Sequence, residues 1–209
     1  MKYSPEYLYG KRMYERYVDL YLKGDFDLAS RSFYKSMKSF QNRDDMCNIS
    51  RLFISRYFVD EDYDNYKYLD KAEKYASLKE CPSERNLIRL LKGQECNEDY
   101  LSKLSRAYAE FRESGESAEL LSELDTKQTH DSAKSRFYRL LALNKIDSDI
   151  AKAEKFVEKA HEIDSFHAWK LNIYRDLRLK FKICKEKNNV SCDNLKIRME
   201  MISNRLGKN

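Results

Sequence analysis

Three groups of residues have side chains suited to chemistry. Asp60-Glu61-Asp62-Tyr63-Asp64 places a carboxylate at alternate positions, as the opening of a calcium loop does. Such a loop needs a glycine for its sharp turn and closes on a bidentate Glu. Here Asn65 stands at the turn and Lys71 at the closing position, where a cation repels calcium. The stretch reads as an acidic loop whose charge favours the N-terminus of the next helix. His161-Glu162 and His167 invite comparison with a metalloprotease pair, which needs histidines four apart on one helical face. These lie six apart, across an expected break at Ser165, and read as helix-end or surface residues. The five cysteines (Cys47, Cys81, Cys96, Cys184, Cys192) form no C-x-x-C, and with three histidines they give no zinc spacing. No G-x-S-x-G, Walker loop or dinucleotide fingerprint occurs. The expectation is a non-enzymatic chain with no catalytic, cofactor-binding or metal-binding residues.

The elements that would position these residues are helices. The 209 residues include 5 Gly and 2 Pro, against about 25 at average usage. Sandwiches, barrels and Rossmann folds need tight turns at every corner and are excluded on that ground. Hydrophobic residues make up 42% and charged residues 36%, a balance that suits long solvated helix faces and is too apolar for a disordered chain. Apolar runs such as 52–54 and 140–143 fall far short of the ~20 residues of a membrane span. Caps and stops (Ser4-Pro5, Gly24, Cys81-Pro82, Ser114-Gly115, Asp147-Ser148-Asp149) predict helices near 5–23, 25–40, 46–58, 63–79, 84–95, 100–112, 116–124, 132–144, 150–163, 166–187 and 192–205. The short connections force successive helices to lie antiparallel. No linker interrupts them, so a single helical-repeat domain over 1–209 is expected.

Internal similarity supports a repeat. Lys71-Ala72-Glu73-Lys74-Tyr75-Ala76 matches Lys152-Ala153-Glu154-Lys155-Phe156-Val157. Ala29, Phe33 and Ser36 set small, aromatic and small residues at a spacing of four then three, and Ala153, Val157 and Ala160 follow the same spacing. Small side chains let paired helices approach, while the large one fills the gap between pairs. This pattern resembles the second helix of a tetratricopeptide repeat, specifically over about 20–45 and 134–170. The first-helix signature and the closing Pro are missing, and the period is nearer 40 than 34. The resemblance implies an all-α, right-handed α-α superhelix of antiparallel hairpins with 10–11 helices. It also implies an interaction scaffold whose concave groove takes a peptide or helix. By that analogy the groove-lining positions of the first unit are Lys11, Tyr14, Val18 and Tyr21.

Charge is uneven. From residue 165 onward there are 11 Lys and Arg against four Asp and Glu, while the preceding part is slightly acidic. Lys170, Arg175, Arg178, Lys180, Lys182 and Lys185 therefore offer an alternative function, binding of nucleic acid or another anionic surface; the plainer reading is a solvated helix face. Cys184 and Cys192 flank a helix–helix turn, and an antiparallel pair would bring Cys47 near Cys81. Both pairs are candidate disulfides, and the plainer alternative is cysteine as a small buried apolar residue. No apolar h-region follows Lys2, so the chain as given reads as cytoplasmic. Two bridges would point instead to a periplasmic or cell-envelope protein whose export signal has been trimmed.

Overall fold

The computed structural model describes residues 3–60, 66–115, 118–126, 129–187 and 192–207. Most of the acidic loop, residues 61–65, lies outside them. The elements are α1 (Pro5–Lys23), α2 (Phe26–Gln41), α3 (Met46–Val59), α4 (Tyr66–Leu78), α5 (Pro82–Leu91), a 3₁₀ turn (Glu98–Tyr100), α6 (Lys103–Ser114), α7 (Ala118–Leu124), α8 (Asp131–Lys145), α9 (Ile150–Phe166), α10 (Lys170–Glu186) and α11 (Cys192–Arg205). Among the described residues there is no strand.

Local chemistry sets the helix ends. The Tyr7 N–H donates to Ser4 Oγ ahead of α1, and Gly24 leaves that helix at φ +87°. Asp45 and Asp149 accept the N–H groups of Asn48 and Lys152 at the starts of α3 and α9. Two stops differ from the sequence reading. Helix α5 ends at Leu91 rather than near 95, because Gly93 turns at φ +70° and lets the Gln94 N–H return to the Arg89 carbonyl. The 3₁₀ turn then delays α6 to Lys103. Helix α9 runs through Ser165 to Phe166; the break falls at Ala168, φ +54°, where the Trp169 N–H closes on the Asp164 carbonyl.

Neighbouring helices pack in antiparallel pairs, as rising residue numbers on one meet falling numbers on the next. Glu6 meets Ser39 and Tyr17 meets Phe33 across α1 and α2. Phe53 meets Tyr75 and Arg56 meets Tyr68 across α3 and α4. Ser135 meets Asp164 and Tyr138 meets Phe156 across α8 and α9. The chain divides into two compact units, one of Met1–Tyr21 with Asp25–Ala109 and one of Leu22–Gly24 with Glu110–Asn209.

In the first unit small residues bring α1 and α2 together. Ser36 Oγ donates to the Gly10 carbonyl and Ser39 Oγ to that of Glu6, both at 2.7 Å. A side chain at position 10 would start 2.9 Å from the Phe40 ring. Ala29, Phe33 and Ser36 are all buried. An aromatic ladder then crosses four helices: Tyr17 to Phe33 at 5.2 Å, Phe33 to Phe53 at 5.3 Å and Phe53 to Tyr75 at 5.6 Å between ring centres. Helices α8 and α9 form the most extensive pair of the second unit, with Leu141, Ala142, Ala153, Val157 and Ala160 sealed from solvent.

Ala153→Leu or Ala160→Leu is expected to overpack this pair and lower stability by about 1–3 kcal/mol in urea unfolding. Ala151→Leu, on the exposed face of the same helix, should leave stability nearly unchanged.

Candidate functional site

A cavity of about 560 Å³ opens in the first unit. Its walls come from the Tyr7, Lys11 and Tyr14 face of α1, from Phe40, from α3 (Asn48, Arg51, Leu52, Ile54, Ser55, Phe58), from the first turns of α5 (Ser83, Glu84, Leu87) and from Tyr100 to Ser105. Helical periodicity explains the α1 contribution, since positions 7, 11 and 14 share one face. The late start of α6 matters here too: the 3₁₀ turn and the extended Leu101 bring Tyr100, Leu101 and Ser102 to the rim.

The site is amphipathic. Rings and aliphatic chains supply most of its wall, and polar groups are fixed at a few points. Tyr14 Oη and Ser55 Oγ share a 2.6 Å hydrogen bond. Burial raises the Tyr14 hydroxyl above its ordinary range, with the Ser55 bond opposing that shift, so the phenol stays neutral. Arg51 pairs with the buried Glu84 through Nε and Oε1. Lys11 is exposed at the rim and is the cation of the wall with no ion pair among the described residues.

Two of the four α1 positions expected in the groove, Lys11 and Tyr14, line this cavity. Val18 and Tyr21 do not; Tyr21 packs edge-on against Tyr17 and Phe26. The wall extends one turn toward the N-terminus instead, to Tyr7. Arg51, Glu84 and Tyr100 were not singled out in the sequence. Tyr7 could have been, because it continues the Lys11–Tyr14 stripe at the same spacing.

The basic residues of α10 separate by burial. Arg178, Lys182 and Lys185 are exposed, whereas Lys180 pairs with Glu158 at 2.9 Å. Arg175 is buried, 5% exposed, and its Nη1 donates to Asn172 Oδ1 at 3.0 Å, so it contributes nothing to a surface patch. Cys47 and Cys81 form one disulfide with Cα atoms 5.5 Å apart, and Cys184 and Cys192 form another at 5.9 Å. Cys96 is in neither disulfide and is partly buried beside Leu90 and Leu101.

The second unit holds a buried ionic cluster between α8, α9 and α10. Arg139 Nη1 donates to Asp164 Oδ2 and to Ser135 Oγ, both at 2.7 Å, and reaches Asp176 Oδ1 at 3.3 Å. Ser135 Oγ and Asn172 Nδ2 also donate to Asp164, and His161 Nδ1 lies 3.4 Å from Asp176 Oδ2. Asp164 and Asp176 have no exposed surface. A cluster closed to substrate acts on packing rather than on a ligand. Burial raises the Asp164 carboxyl from 3.8 to about 7, with Arg139 opposing and Asp176 adding to the rise.

The chain matches no known protein family, no curated protein and no solved structure. Its candidate site therefore rests on geometry alone.

The cluster makes stability depend on pH. Between pH 3.8 and about 7 the folded chain retains the Asp164 proton that the unfolded chain releases. This group's contribution is therefore complete below that window and is lost as pH rises through it. Urea unfolding across the window should show a downward component in the wild type that Asp164→Asn removes.

Proposed function

We propose that the chain is a non-enzymatic interaction scaffold that binds a short peptide segment of another protein in the cavity of its first unit. The observation that carries this reading is the wall itself: rigid aromatic and aliphatic surface with a few fixed hydroxyls and one unpaired lysine at the rim. A volume of about 560 Å³ suits a few side chains rather than a whole helix. Tyr7, Tyr14 and Tyr100 offer large contact area at low entropic cost, as binding hot spots do. The preferred segment has one or two apolar anchors with an acidic residue placed to meet Lys11. The small–large–small spacing on α2 and α9 supports a tetratricopeptide-like arrangement of hairpins, in which first-helix faces line the groove. Two disulfides support an oxidising compartment for the chain. No described helix is long and apolar enough to cross a membrane.

Selection from a displayed random-peptide library should enrich acidic, apolar-anchored peptides. Lys11→Glu and Tyr100→Ala alter exposed side chains, so the fold should survive, and each should weaken those peptides about tenfold or more. Peptides that bind both variants as well as the wild type would remove the groove reading.

A second reading rests on the exposed stripe of Arg178, Lys182 and Lys185, which share one face of α10. If α10 binds nucleic acid, affinity for a single-stranded oligonucleotide should fall linearly with salt on logarithmic axes, and Lys182→Glu with Lys185→Glu should flatten that slope. No binding at low salt would remove this reading.

A further inference from the structure

The Cys47–Cys81 bridge has a third metal-ligating side chain beside it. Cys47 lies in the first turn of α3, and Cys81 caps the start of α5. Glu84, one turn into α5, brings its carboxylate to the sulfurs. The ligand atoms of the three residues all lie within 4.8 Å of one another. Among the described residues no other group of three such side chains comes so close. Cys81 and Glu84 are buried and Cys47 is half-buried. Arg51 holds Glu84 through Oε1, which leaves Oε2 to a second partner. Glu84 also lines the cavity, giving an ion a path from solvent.

We infer that reduction of this bridge converts it into a zinc site, with the two sulfurs and Glu84 as ligands and water in the fourth position. The chemistry balances in two steps. A dithiol reductant transfers two electrons and two protons: the Cys47–Cys81 bond breaks, two protein thiols form, and the reductant closes its own disulfide. Zn²⁺ then replaces the two thiol protons, which pass to solvent. The donor set selects the metal, because thiolate sulfur with one carboxylate suits a borderline-soft tetrahedral ion and is a poor match for calcium or magnesium, which take oxygen ligands. The charges also close. Two thiolates and a carboxylate carry −3, zinc supplies +2, and Arg51 beside Glu84 supplies the last positive charge, so the buried site is neutral. Zinc–sulfur bonds of about 2.3 Å set the two sulfurs about 3.8 Å apart in a tetrahedron. Opening the bridge to that distance is a side-chain adjustment with the backbone in place. Cys47 and Cys81 sit at the N-terminal ends of α3 and α5, where the helix dipole favours the thiolates' negative charge. Zinc would thus hold α3 to α5 when the disulfide cannot.

The test uses the full chain with Cys184→Ser and Cys192→Ser, oxidised or reduced and freed of metal, titrated with Zn²⁺ against a chromophoric chelator. The reduced protein should take up one equivalent and the oxidised protein none. Glu84→Gln should weaken binding at least about tenfold, the lower end of what loss of even an outer-shell partner costs. Glu80→Gln, also near Cys47, should not. Cobalt in place of zinc should show the charge-transfer absorption of thiolate ligation and the visible bands of a tetrahedral ion. The proposal fails if reduced protein that stays helical by circular dichroism takes up no zinc, or if Glu84→Gln retains full affinity. Should the double serine variant not fold, reduced wild type compared with Glu84→Gln makes the same distinction, because zinc held elsewhere would not depend on Glu84.

Discussion

The first unit depends on aromatic rings meeting across helix boundaries. Tyr17, Phe33, Phe53 and Tyr75 come from four successive helices, and each ring touches the next at 5.2–5.6 Å. Arg56 adds a cation over Phe33 at 5.2 Å and over Tyr68 at 4.8 Å. Antiparallel helices slide easily past one another when their contacts are uniform, and large rings in fixed positions remove that freedom. The register they impose sets which faces of α1 and α3 look into the cavity. The hydrogen bonds from Ser36 and Ser39 to α1 carbonyls fix the same register at the N-terminal end of α1.

The second unit reaches register by charge. Arg139 on α8 is held by Asp164 on α9 and Asp176 on α10, with Ser135 and Asn172 also donating to Asp164. Such a cluster adds little net stability, because desolvation offsets most of the attraction. Its effect is selective: any sliding of one helix separates buried opposite charges, and that costs far more than a displaced methyl group. Alanines at 153 and 160 let α8 and α9 approach closely enough for Arg139 to reach Asp164.

Helices and most of their ends were legible because caps are local: Asp149, Gly24 and Pro5 each act within one turn. Gly93 was missed as a stop, since a lone glycine in an amphipathic run signals either a tolerated interior residue or a cap, and only tertiary packing decides. The break after α9 was placed three residues early because Asp164, a residue that usually favours surfaces, is held inside by Arg139. The cavity was half legible. Helical spacing on α1 pointed to Lys11 and Tyr14, but the direction in which the stripe continues depends on where Phe40 and Tyr100 arrive from distant positions. Burial of Arg175 left no trace in a count of basic residues. The proximity of Glu84 to the cysteine pair was equally hidden, as the two cysteines are 34 residues apart and no short motif spans that separation.

The Arg139–Asp164–Asp176 cluster also constrains how this chain can diverge. Replacing Arg139 alone strands two buried carboxylates, a loss on the order of 3–5 kcal/mol and a large part of what a domain has to spare. Replacing all three with apolar residues of similar volume is nearly neutral. Loss of Arg139 is therefore tolerated only where both carboxylates have gone with it, and descendants should keep the arginine wherever Asp164 or Asp176 remains.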